Sequence, residues 1–169
     1  MNWLPSIPPW DGLHVLVIHF PIALLLVAPL FILPGLAMPR RGHGFFVAAL
    51  LLMALGALGA ILAVETGEAA AALAKPRPEV AEVLLRHAAL GETTRNVFIG
   101  LTLVFLPIVL AHNRLTQRLG RARVALLIVI FLLGYLANLL FLVKTADLGG
   151  RLVHQFGLRS HLAAEAPSR

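Results

Sequence analysis

Seven histidines stand in a chain of 169 residues that is 59% hydrophobic and only 13% charged. A neutral imidazole is a metal ligand through either ring nitrogen. It is also costly to leave bare in lipid, so histidines within apolar stretches are candidates for function. His14, His19, His87 and His154 lie in or beside long apolar runs. Two imidazoles approaching one iron from opposite faces would make a low-spin haem b, tuned by ligand and burial. Three or four would instead hold copper or zinc. His43 and His112 adjoin basic connections and read as interfacial residues that keep a polar tip in water, while His161 belongs to a polar tail. The absence of cysteine excludes thiolate metal sites, iron–sulfur clusters and haem attached through Cys-x-x-Cys-His within this chain. There is no nucleophile–base pair, glycine-rich phosphate loop or carboxylate pair, so the chain reads as a carrier and not an enzyme.

These side chains must be positioned by membrane helices. A soluble domain carries about 25% charged residues, and half that share cannot cover a water-facing surface. Four stretches approach the roughly 20 apolar residues that a span needs: residues 13–36, 45–64, 97–111 with an upstream extension, and 124–143. The expected fold is therefore all-α, a single four-transmembrane-helix bundle over 1–169 with an interfacial segment at 1–12 and a polar tail at 158–169. Pro76 and Pro78 end the alanine-rich extension of the second span. Pro78 then suits the first turn of a short extra helix over Glu79–Leu90, in the second connection, that ends at Gly91 or runs into the third span. Gly56 and Ala60 on the second span form a small-xxx-small pair suited to close helix packing. Pro21, Pro29 and Pro107 each leave the carbonyl four residues back in need of another partner.

The first connection carries Arg40 and Arg41, and the third carries Arg114, Arg118, Arg121 and Arg123. Basic short loops face the cytoplasm, so both termini and the second connection are expected to face the periplasm of a bacterial inner membrane. Depth then follows from about 1.5 Å of rise per residue and about 30 Å of core. His19 falls at the outer boundary of the first span, His14 about 7 Å beyond it, and His87 about 6 Å beyond that of the third. His154 would stand about 16 Å out unless Gly149-Gly150 bends the chain back. His14 and His19 are five residues apart and point about 140° from each other, so they are not expected to ligate one centre from opposite sides and could serve two partners. His19 and His87 are expected to be the most sensitive, then His14, then His154. Which two share one centre stays open.

The block Leu13-His14-Val15-Leu16-Val17-Ile18-His19-Phe20-Pro21-Ile22-Ala23-Leu24 resembles the opening of a bacterial membrane family catalogued as domain of unknown function 2231. Thr66-Gly67, His87 and Gly149-Gly150-Arg151-Leu152-Val153-His154 resemble further features of that family. Val15 stands where relatives carry proline, and His154 where many carry an aromatic residue. The resemblance covers most of the chain and implies a bacterial inner-membrane four-helix protein. Some relatives are fused to or encoded with c-type cytochromes, which implies electron transfer. The expected function is thus a b-type-cytochrome-like membrane protein that holds haem b through His14, His19, His87 or His154. It would exchange electrons with quinone or a periplasmic c-type cytochrome. The alternatives are a copper or zinc site on the same four histidines and a non-catalytic anchor subunit of a larger membrane complex.

Overall fold

The computed structural model of the chain describes residue 10 and residues 12–38, 41–73 and 77–158. The expected interfacial segment and polar tail lie almost wholly outside these residues, as does His161. Six helices follow one another: α1 His14–Val17, α2 His19–Ala37, α3 Gly42–Leu73, α4 Pro78–Leu110, α5 His112–Leu119 and α6 Arg121–His154. The break between α1 and α2 has a local cause. Pro21 has no N–H to give the carbonyl of Val17, yet Ile18 keeps helical dihedrals and its N–H reaches the His14 carbonyl at 3.1 Å. The two pieces therefore continue one another as a first span, His14–Ala37.

Four helices are long and apolar enough to cross a membrane. α2 packs on α3, α3 on α4, and α4 on α6, while α6 returns to α2. That is an up-and-down bundle. Its core includes Leu25, Ile32, Phe46, Met53, Phe98, Phe105 and Tyr135. Phe105 stacks on Phe131 at 4.7 Å, and Phe98 meets Tyr135 edge-on at 5.3 Å. Leucines such as Leu30, Leu103, Leu133 and Leu140 stay 60–64% exposed on the outside. Water would not favour such a surface, whereas lipid tails do.

The small face of α3 lies against the first span. A Cβ on Gly56 would come within 2.8 Å of the Leu25 side chain, and one on Gly59 within 3.2 Å of Pro21. Pro29 has no N–H for the Leu25 carbonyl, and the Tyr135 hydroxyl of α6 donates to that oxygen at 2.8 Å. The proline's missing bond thus becomes a tie between the first and last spans.

Of the two courses expected for the helix over Glu79–Leu90, the structure takes the second: it runs into the third span as the opening turns of a continuous α4, with Pro78 in its first turn. Gly91 does not break it. α6 likewise runs through Gly149 and Gly150 to His154, and no bend there brings His154 back toward the bundle. A short helix not foreseen, α5, occupies the third connection. α3, α4 and α6 hold 32, 33 and 34 residues. At about 1.5 Å per residue they reach about 50 Å, well beyond a core of about 30 Å. The excess holds Glu65, Glu68, Glu79, Glu82, Arg86, Lys144, Asp147 and Arg151 at the end where α1 and the start of α4 meet the ends of α3 and α6.

Candidate functional site: two cradled imidazoles

At this charged end the ring centroids of His14 and His87 lie 6.4 Å apart, with the planes nearly perpendicular at 83°. They come from different helices and reach the same level because α1 and α4 both enter the bundle there. Each ring is held from behind by a helix that ends at this level, α3 for His14 and α6 for His87.

The Nδ1–H of His14 donates to the Ala63 carbonyl of α3 at 2.9 Å. Thr66 lies beside it: its hydroxyl donates to the Leu62 carbonyl at 2.7 Å, leaving its oxygen 3.3 Å from the same imidazole nitrogen. A Cβ on Gly67 would stand 2.9 Å from Cε1 of the ring. The Nδ1–H of His87 donates to the Thr145 carbonyl of α6 at 3.0 Å. A Cβ on Gly149 would stand 3.1 Å from its Cε1. The hydroxyls of Thr94 and Thr145 meet at 3.0 Å, with further contacts to the Leu90 carbonyl at 2.7 Å and the Phe141 carbonyl at 2.8 Å.

The two halves of the chain therefore carry one device twice. In each, the accepting carbonyl precedes the glycine by four residues, Ala63 before Gly67 and Thr145 before Gly149. One turn of helix separates them, so the ring lies flat over the place where a side chain would otherwise stand. The glycines make room for the imidazoles themselves. Gly150, by contrast, faces open space.

Donation from Nδ1 to a carbonyl fixes the tautomer, since a carbonyl only accepts. The proton of each neutral ring is then on Nδ1 and the lone pair on Nε2. This is the arrangement in which a second partner orients a ligating histidine and raises its basicity. Both rings are half-buried.

The other expected ligands do not join them. His19 is exposed, and its Nδ1 lies 3.0 Å from the Val15 carbonyl of its own turn. It points away from His14, as five residues of helix require. His154 is exposed at the end of α6. Among the described residues no group of three or more His, Asp or Glu side chains is placed to hold a metal ion, so the four-histidine cluster is not assembled. The order of sensitivity expected from depth placed His19 ahead of His14; the geometry places His14 beside His87. His43 and His112 stack at 5.7 Å at the far end of the bundle.

The pair offers two Nε2 lone pairs, one from each ring. Structural zinc takes four ligands and catalytic zinc three, and the described residues here supply two. Beside the pair, a groove of about 400 Å³ between α4 and α6 is lined by Arg86, Ala89, Leu90, Lys144, Asp147 and Leu148. The sequence had pointed to the two histidines. It had shown Thr66-Gly67 and Gly149 only through a family resemblance, and it gave no sign of Thr94 or Thr145.

No curated protein and no solved structure matches the chain. The profile of a family described as "Predicted membrane protein (DUF2231)" matches residues 11–161, which include both imidazoles, both glycines and all four spans. The chain belongs to the DUF2231 family of predicted membrane proteins.

Proposed function

We propose that His14 and His87 are the axial ligands of one haem b and that the chain is a small membrane electron carrier. The observation that carries this reading is the pair itself: two half-buried imidazoles from different helices, 6.4 Å apart, each with Nδ1 occupied. Two imidazoles on opposite sides of one ion, with metal–nitrogen bonds of about 2.0 Å, have ring centroids roughly 6 Å apart. Bound there, haem would supply reversible one-electron chemistry. The chain's own residues do the rest. The carbonyls of Ala63 and Thr145 hold the rings in the ligating tautomer, and the threonines brace those turns. Gly67 and Gly149 let the rings sit close to the helices behind them. The protein acts as a carrier with no reaction of its own.

The arginine-bearing connections, with Arg41, Arg114, Arg118, Arg121 and Arg123, lie at the opposite end of the bundle. Basic short loops stay in the cytoplasm. This supports a bacterial inner-membrane protein with both termini and the imidazole pair toward the periplasm. At that level the partners would be quinone from the bilayer and a periplasmic c-type cytochrome. The α4–α6 groove, with Arg86, Lys144 and Asp147 beside apolar Leu90 and Leu148, is a polar–apolar surface next to His87 where either could approach.

Copper is the second reading, and the two-donor set favours it over zinc. Protein purified from a haem-replete host distinguishes the readings. Haem predicts a Soret band with sharp reduced α and β bands. His14→Ala and His87→Ala should each lose the low-spin spectrum, while His19→Ala, His154→Ala, His43→Ala and His112→Ala keep it. Stoichiometric copper without a Soret band, removed by the same two changes, would favour the second reading. Protein with neither haem nor metal would overturn both and leave an anchor subunit of a larger complex as the better account.

A further inference from the structure

At the far end of the bundle a second polar site stands apart from the imidazole pair. A cavity of about 60 Å³ lies between α2, α3, α5 and α6, with Phe46, His112, Thr116 and Arg121 among its lining residues. A water needs roughly 10–15 Å³ on this measure, so the space holds a few waters or one small polar group. Nδ1 of His112 and Oγ1 of Thr116 are both buried and have no hydrogen-bond partner among the described residues. Buried polar atoms are otherwise nearly always paired. Burial first, and then the neighbouring His43, holds the His112 imidazole below the usual histidine range.

The charge around this cavity is one-sided. Arg41, Arg114, Arg118, Arg121 and Arg123 gather here, whereas the sequence has no Asp or Glu between Asp11 and Glu65 or between Glu92 and Asp147. Among the described residues no carboxylate pairs with these arginines, so an anion at the cavity would meet unopposed positive charge.

We propose that this cavity binds the phosphate of an anionic phospholipid from the adjoining leaflet. The guanidinium of Arg121, the hydroxyl of Thr116 and an N–H of His112 are three donors to phosphate oxygens. Arginine suits phosphate because its planar fork donates in parallel. Basic pockets between transmembrane helices are a recurrent place for such head groups. The acyl chains would lie along the exposed apolar flanks of α2 and α6. The site shares no residue with the His14–His87 pair, so it stands whatever that pair binds.

The test uses purified full-length protein, stripped of lipid in neutral detergent, and follows its thermal transition. Short-chain phosphatidylglycerol should raise the transition in a saturable way. Phosphatidylcholine of the same chain length should not. Inorganic phosphate is the third arm; an equal shift from it keeps an anion site but overturns the lipid as its occupant. Thr116→Val and Arg121→Gln should each weaken the phosphatidylglycerol response about tenfold or more, while Arg118→Gln, outside the cavity lining, leaves it within about twofold. Should Arg118→Gln weaken it as much as Arg121→Gln, the attraction is diffuse surface charge and the proposal fails. It fails equally if Thr116→Val, which keeps the shape of the side chain, binds as the parent does.

Discussion

At the residue scale, two glycines are as specific to the site as the histidines they face. An alanine at Gly67 would set a methyl 2.9 Å from the His14 ring, and one at Gly149 would set it 3.1 Å from the His87 ring. Each ring is tied to a carbonyl on that same helix, so it cannot step back without stretching the bond that fixes its tautomer. Overpacking of this kind typically costs about 1–3 kcal/mol. We expect Gly67→Ala to reduce the fraction of protein that retains cofactor more than Gly149→Ala does, because its contact is shorter. Gly150→Ala, with nothing near its would-be side chain, should leave retention unchanged. Pyridine haemochromogen and copper assays on the three purified variants give the comparison. Equal retention by all three would show that the rings have room to spare.

At the element scale, the helices are joined where local rules would leave something unsatisfied. Pro29 removes the N–H that should serve the Leu25 carbonyl, and Tyr135 supplies a hydroxyl from another helix. Tyr135→Phe should therefore destabilise the bundle by about 1 kcal/mol, the net value of one such bond. Pro29→Ala restores a backbone donor to the same carbonyl, so the double variant should lose less than Tyr135→Phe alone. Unfolding of the four proteins in mixed micelles measures that coupling, and strict additivity would show that the hydroxyl contributes nothing. A harsher outcome is expected at Gly56. Leucine there would meet Leu25 at a point where a Cβ already comes within 2.8 Å. Gly56→Leu should prevent α2 and α3 from closing, whereas Leu58→Ala, on a side chain 58% exposed toward lipid, should change yield and melting little.

At the scale of the whole molecule, the bundle is polarised. One end carries the cradled imidazoles together with nearly all the described carboxylates; the other carries arginines, the His43–His112 stack and the small polar cavity. Such a distribution of basic residues orients a multi-span protein during insertion. Alkaline phosphatase fused after Arg169 should accordingly be active outside the cytoplasm, and a fusion after Arg118 inactive. The opposite pattern would move the imidazole pair to the cytoplasmic face and exclude a periplasmic cytochrome as its partner. The two helical hairpins, α1–α3 and α4–α6, each contribute one imidazole and one cradle. A single centre between them would thus tie the halves of the chain together. Removing a bound cofactor should lower the melting temperature by the usual linkage of ligand binding to folding.

The amino-acid sequence by itself determined the membrane-spanning character, the number of spans and the shared depth of His14 and His87. Length, apolar composition and helical rise are local quantities, and they are enough for those. It also determined that His14 and His19 diverge, because five residues of helix allow nothing else. It did not determine which of the two faces inward. The spans have no strong amphipathic stripe, since the lipid outside and the core inside are both apolar, and so composition carries no record of the inner face. Only packing decided it: the approach of the first span to α3 at Gly56, Gly59 and Gly67 turns His14 toward His87 and leaves His19 exposed. Only the structure shows that Gly91, Gly149 and Gly150 stay within helices, Gly91 beside Val64 and Thr145 and Gly149 beside His87. The cradles followed from the same packing. A carbonyl becomes the partner of a distant imidazole only when another helix lies against it, and no spacing within one helix announces that contact.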